Sequence, residues 1–147
     1  MNYEARFGGI GRLYGNSGLS LLRSARIAVV GIGGVGSWAA EALARSGVGT
    51  IILMDMDDLC ITNTNRQIHA LASTIGQSKT ETMATRLREI NPDCMIVIAI
   101  IPLSHQIQYL SGLHHCHHSS AVFPITNACD GDSFHKAIMF HGSERRG

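Results

Sequence analysis

Ile27-Ala28-Val29-Val30-Gly31-Ile32-Gly33-Gly34-Val35-Gly36 and, further on, Ile51-Ile52-Leu53-Met54-Asp55 decide the fold. Between Arg26 and Asp55 the chain offers an apolar run, a glycine-rich turn, a helical segment and a second apolar run ending in an acid, which is the order of a β-α-β nucleotide-binding unit. Gly31 lets the chain turn off the strand, Gly33 lets the backbone approach a phosphate, and Gly36 lets the helix pack close to the sheet. Asp55 lies 19 residues past Gly36, where a carboxylate can accept ribose hydroxyls while phosphates sit on the helix N-terminus. The intervening helix, from about Val35 to Ser46, carries Trp38, Ala39, Ala42 and Leu43 on one face and Ser37, Glu41 and Arg45 on another, and Gly47 ends it.

Outward from this unit, composition sets limits. A chain of 147 residues with 45% hydrophobic content has room for one domain and a core, but not for a second full domain. Twelve basic against eleven acidic residues leave a net charge near zero, so any RNA contact must come from a local patch. Cys60, Cys94, Cys116 and Cys129 form no C-x-x-C pair, which argues against a zinc ribbon and suits thiols in a reducing compartment. Without an apolar leader or a bilayer-length apolar run, the expectation is a cytoplasmic protein with no membrane contact.

Before the first strand, Arg6-Phe7-Gly8-Gly9 and Arg12-Leu13-Tyr14-Gly15 place two arginines among glycines, either as phosphate contacts or as a solvated arm. A short helix around Leu19, Leu21 and Leu22 leads into the strand. After Asp55, the polar segment Met56-Asp57-Asp58 and Thr62-Asn63-Thr64-Asn65-Arg66-Gln67 emerges at the carboxyl edge of the sheet, where such folds bind ligands. Arg66 can clamp phosphate oxygens or pair with Asp57 or Asp58 on the surface; Asn63 can position a metal or a phosphate oxygen. His69 reads as a packing or capping residue rather than a catalyst.

Gly76-Gln77-Ser78-Lys79 then opens a helix through about Ile90, with Ser78 as N-cap and Met83, Leu87 and Ile90 on the buried face. A cation at the first turn opposes the helix dipole, which makes sense if an anion occupies the same spot, so Lys79 reads as a phosphate ligand. Asn91-Pro92 stops this helix, and Met95 to Ile101 reads as a third buried strand. The expected fold is α/β: a Rossmann-like unit of three parallel strands over residues 26–101, with the glycine turn at its carboxyl edge.

From Pro102 the pattern changes. Seven of eight histidines follow residue 104, including His114-His115-Cys116-His117-His118, and no helix or strand period is evident. A metal site lacks a second spaced ligand group, and a disordered tail would carry more charge. The expectation is therefore an irregular tail over 102–147, foreign to the fold, produced by a reading-frame slip near residue 101 with an early stop.

The assembled motifs resemble the HesA/MoeB/ThiF adenylating family, which includes ubiquitin-activating, molybdopterin-biosynthesis and thiamine-biosynthesis enzymes. The resemblance covers roughly residues 6–101 and rests on Gly31 to Gly36, Asp55-Met56-Asp57, Asn63 to Gln67, and Gly76 to Lys79 ahead of Ile90-Asn91-Pro92. Arg6 to Gly9, Gly36 to Arg45 and Asn65 to Leu71 look most like its tRNA threonylcarbamoyladenosine dehydratase branch. It implies ATP with Mg2+ rather than NAD, which the glycines and Asp55 alone would equally suit. It further implies nucleotide contacts from Gly31, Gly33, Gly34, Gly36, Asp55 and Asp57, and phosphate contacts from Asn63, Arg66 and Lys79, the last two catalytic. In a homodimer, Arg6 would reach the neighbouring subunit's site. The implied substrate is tRNA, whose threonyl carboxylate is adenylated before cyclisation; family members that adenylate a ubiquitin-like sulfur-carrier protein are the near alternative. The family's fourth strand, with its aspartate near metal and triphosphate, is not recognisable after residue 101, so the chain is expected to be a catalytically incomplete, truncated version.

Overall fold

The computed structural model describes residues 2–99 together with two strands at 121–124 and 135–139. Helix α1 (Tyr3–Ser24) leads into β1 (Arg26–Val30), α2 (Gly34–Arg45), β2 (Thr50–Met54), α3 (Lys79–Ile90) and β3 (Met95–Ile98). Strands β4 (Ala121–Pro124) and β5 (His135–Met139) follow. One five-stranded sheet results, in the order β3-β2-β1-β5-β4. β1 pairs in parallel with both β2 and β5, β2 with β3, and only β4 runs antiparallel.

That order positions the site. The chain winds outward from β1 through β2 to β3, and β5 lies on the other side of β1, so the winding reverses at the carboxyl end of β1. Ligands of open α/β sheets bind at this kind of switch point, and the glycine turn begins there.

The expected three-strand parallel unit is present, and its core joins Val29, Ile51 and Leu53 of the strands to Ala40 and Ala44 of α2 and to Met83 and Leu87 of α3. Ser78 caps α3 through its hydroxyl, which accepts from the Glu81 amide, and Gly47, at φ 81°, ends α2.

Several features differ from the sequence expectation. α1 starts at Tyr3, far earlier than the short helix around Leu19 to Leu22, and bends at Gly15. Glycines argue against a helix locally, but tertiary contact overrides them: Tyr3 and Phe7 are buried, and the Tyr3 hydroxyl donates to the Gly47 carbonyl at 2.5 Å. The sequence divides α2 into two faces without choosing the inner one; Trp38 is exposed, while Leu43 of the same face packs partly against the core. Gly36, Ser37, Ala40, Glu41 and Ala44 face inward, because small residues allow close approach and Glu41 carries two arginine partners. β3 is an edge strand, with Met95 exposed and Ile96 to Ile98 half-buried, rather than a fully buried one. Finally, the region read as pattern-free contributes β4 and β5, whose short apolar runs are only three or so residues each and too brief to show a period. The histidine cluster at 114–118 lies outside the described residues.

Candidate functional site

Gly31 leaves β1 at φ 84°, a conformation that side-chain-bearing residues rarely adopt, while its amide donates to the Met54 carbonyl at 2.8 Å. The turn is thereby laid across the carboxyl ends of β1 and β2. Asp55 fixes it: one carboxylate oxygen accepts from the Ile32 amide at 2.6 Å, the other from the Asp57 amide at 2.9 Å. Each oxygen retains a lone pair, so the carboxylate that holds the loop can still accept from ribose hydroxyls. At Gly33, which caps α2 without a side-chain bond, an added Cβ would meet nothing within 4 Å, so the backbone here faces open space at a helix N-terminus.

Gly34 has a different role. A Cβ there would lie 3.4 Å from Cγ and Cδ of Arg66, so the arginine stem crosses the glycine turn. The Arg66 guanidinium donates to the Thr62 carbonyl at 2.9 Å and to Asn65 Oδ1 at 3.0 Å, and among the described residues it pairs with no carboxylate. The surface salt bridge to Asp57 or Asp58 is therefore not made. Asn63 is buried and its Oδ1 accepts from the Cys60 amide at 3.0 Å, which shapes the turn that presents Arg66.

Asp57 pairs instead with Lys79, whose ammonium donates at 2.7 Å. The lysine side chain is 6% exposed and the aspartate 69%, so the cation sits inside the structure and its partner at the surface. Backbone bonds from Leu59 to Gln77, Gly76 to Leu59 and Lys79 to Asp57 tie the two loops together. Gly31, Gly33, Gly34, Asp55, Asp57, Asn63, Arg66 and Lys79 thus form one connected group at the switch point. Gly36 packs inward behind it. Arg6 is not brought to it: its guanidinium donates to the Ile90 carbonyl at 3.3 Å, at the end of α3 opposite Lys79.

Beneath the site lies His69, 1% exposed and without a hydrogen-bond partner on either ring nitrogen. Burial first, then the nearby Lys79 charge, lowers its pKa to about 4, so the imidazole is neutral at pH 7. Its burial fits the packing alternative of the sequence reading. On α2, burial alone would raise the Glu41 carboxyl, but hydrogen bonds from Arg86 and Arg45 outweigh it and hold the carboxyl below its usual value. Sequence reasoning missed this link between α2 and α3, although a glutamate on a helix face that must pack is a legible signal for a buried ion pair.

The ThiF family model matches residues 9–115. The chain belongs to the ThiF family. This ThiF match runs past residue 101, where the resemblance was expected to stop. The chain is 56% identical over 111 residues to the tRNA threonylcarbamoyladenosine dehydratase of Escherichia coli, an alignment covering 74% of this chain and 41% of the relative. The solved structure of E. coli tRNA N6-threonylcarbamoyladenosine dehydratase in complex with ATP is similar at TM-score 0.68, over 74% of this chain and 45% of that one. Molybdopterin-synthase adenylyltransferase of E. coli is 38% identical over 87 residues, 59% of this chain and 33% of that protein. The ThiF chain described here therefore spans less than half the length of these relatives.

Proposed function

We propose that this chain is the nucleotide-binding part of an enzyme that adenylates a carboxylate with ATP, and that the carboxylate is the threonyl group on a modified adenosine of tRNA. The observation that supports it most is the connected group at the switch point, with a glycine turn held by Asp55 and flanked by two cations, Arg66 and Lys79. A dinucleotide needs the turn and the acid but not both cations. The higher identity to the dehydratase than to the molybdopterin-synthase adenylyltransferase favours tRNA over a sulfur-carrier protein.

ATP supplies the activating chemistry, by turning a carboxylate oxygen into part of a good leaving group. The chain's own residues bind and orient. Asp55 keeps the Ile32 and Asp57 amides fixed and offers its free lone pairs to the ribose, while the open backbone at Gly33 receives phosphate oxygens. Arg66 and Lys79 offset negative charge as pyrophosphate departs. Mg2+ is proposed to arrive with the triphosphate, a mode that needs no protein cage, and no step is assigned to the ion. Arg6, remote from the site in its own chain, fits a homodimer in which it serves the neighbouring subunit. Among the described residues no helix is long and apolar enough to cross a membrane, and the cytoplasm is the proposed location. The expectation of a tail foreign to the fold from residue 102 stands against a family match that reaches residue 115 and against β4 and β5 in the sheet; catalytic incompleteness of this chain is kept as a proposal.

Calorimetric titration with ATP-Mg and with NAD tests the ligand. Tighter ATP binding is expected, and tighter NAD binding would overturn the reading. Pyrophosphate exchange by a full-length version, offered modified tRNA or a sulfur-carrier protein, tests the substrate; exchange with the protein alone would count against tRNA. Turnover of ATP with modified tRNA by this chain would refute its incompleteness; a coding sequence with no family-like continuation in any other frame would refute the reading-frame slip and make the tail native.

A further inference from the structure

Trp38 is the only tryptophan of the chain, and it points the wrong way for a core residue. Its indole N–H donates inward, to the Arg66 carbonyl at 3.0 Å, while 55% of the residue stays exposed. The bond pins the turn that carries Arg66 onto α2, and it holds the ring edge in place while the apolar faces stay in solvent. Val35, one turn earlier on α2, is 61% exposed and extends the apolar surface toward the glycine turn.

The position is as informative as the orientation. Trp38 stands one helical turn from Gly34, about 6 Å along the α2 axis. Its hydrogen-bond acceptor is the residue whose stem crosses that glycine and whose guanidinium has no carboxylate partner among the described residues. A fixed aromatic face beside the arginine proposed to hold the ATP phosphates suits an unpaired base, since the ring can stack the base next to the phosphates it must approach. The near-zero net charge requires any RNA contact to be local, and this patch is local.

We propose that Trp38 is a stacking platform for an unpaired base of the RNA substrate, holding the base at the mouth of the nucleotide site. The inference rests on the tRNA reading above. If the reacting carboxylate is carried on an adenosine, that base must sit within a side chain's length of the phosphates, and Trp38 is the exposed aromatic residue found there. Trp38 acts here as a binding residue that selects unpaired over paired RNA.

The test uses this chain with a hairpin RNA bearing an unpaired adenosine-containing loop, and with a blunt duplex of equal phosphate count. Hairpin RNA should quench the Trp38 emission saturably while the duplex does not. By anisotropy of labelled hairpin, Trp38→Ala should bind at least about fivefold more weakly, and Trp38→Phe should retain most of the affinity. ATP affinity, titrated separately, should change equally in the two variants, since both lose the bond to the Arg66 carbonyl, so the difference in hairpin affinity between them reports stacking. Failure of the wild-type chain to bind ATP would count against the proposed function and leave the stacking result to be read independently. Equal quenching by duplex, absence of quenching, or unaltered hairpin affinity in Trp38→Ala overturns the proposal. So does a Trp38→Ala change confined to self-association measured by light scattering, which would assign the patch to a protein contact.

Discussion

The carboxylate of Asp55 accepts the amide hydrogen of Ile32 at 2.6 Å, so the residue that suits a ribose also fixes the loop that suits a phosphate. Its other oxygen accepts from the Asp57 amide. Asp55→Asn is therefore not conservative, because an amide has one acceptor oxygen for two donors and would set an NH2 against one of them. Calorimetry should show ATP and adenosine both weakened, on the order of tenfold. Arg66→Ala, by contrast, should weaken ATP and spare adenosine. Equal losses of ATP and adenosine in Arg66→Ala would detach that arginine from the phosphates.

Lys79 and Asp57 form an ion pair with unequal surroundings, 6% exposed on the cation and 69% on the anion. Removing the anion strands a buried ammonium, whereas removing the cation leaves a carboxylate in water. Urea denaturation should find Asp57→Ala destabilised by about 1–3 kcal/mol and Lys79→Met by less than about 1 kcal/mol. If phosphates replace Asp57 as the partner of Lys79, saturating ATP should stabilise Asp57→Ala more than it stabilises wild type. The reverse order of destabilisation would mean that Lys79 is better solvated than its burial indicates.

How far the sequence reached depends on whether a signal was local. The glycine turn, Asp55 and the Ser78 cap of α3 are fixed by short-range rules, and each was legible. α1 was not, because its glycines disfavour a helix and only the remote contacts of Tyr3 and Phe7 with the end of α2 restore it. The orientation of Trp38 was also hidden, since the pattern gave α2 two faces without choosing between them and the structure turns small residues inward. Which of Arg66 and Lys79 takes Asp57 depended on distances that no spacing rule supplies.

His69 should make stability fall on mild acidification. An unfolded histidine titrates near 6.5, whereas the folded one has a pKa of about 4. Between these values the unfolded chain binds the extra proton, so stability is full above pH 6.5 and falls as pH drops toward 4. The loss approaches about 3 kcal/mol by pH 4 for a fully buried ring. Denaturant titrations across this range should show the decline in wild type and a flatter profile in His69→Leu. Glu41, whose carboxyl is held low by Arg86 and Arg45, loses its contribution only as pH falls through its own depressed value, at the acid end of the range. An identical slope in wild type and His69→Leu would locate the proton elsewhere.

β1 offers a direct reading of whether the C-terminal strands complete the sheet. In parallel pairing, alternate residues of a central strand direct their N–H and C=O groups to opposite neighbours. The Ala25 carbonyl accepts from Thr50 and the Gly31 amide donates to Met54, so odd-numbered positions face β2. Ala28 and Val30 consequently direct their amides toward β5, with which they are in register at Ala137 and Met139. Amide exchange on the 147-residue chain should protect Ala28 and Val30 about as well as Ile27 and Val29. In a chain cut after residue 99, the even-numbered pair should exchange much faster while the odd-numbered pair stays protected by β2, and the bared strand edge should make the protein prone to aggregate. Fast exchange at Ala28 and Val30 in the uncut chain would mean that β5 does not dock in solution, and would strengthen the case that the sequence following the family match is foreign to this fold.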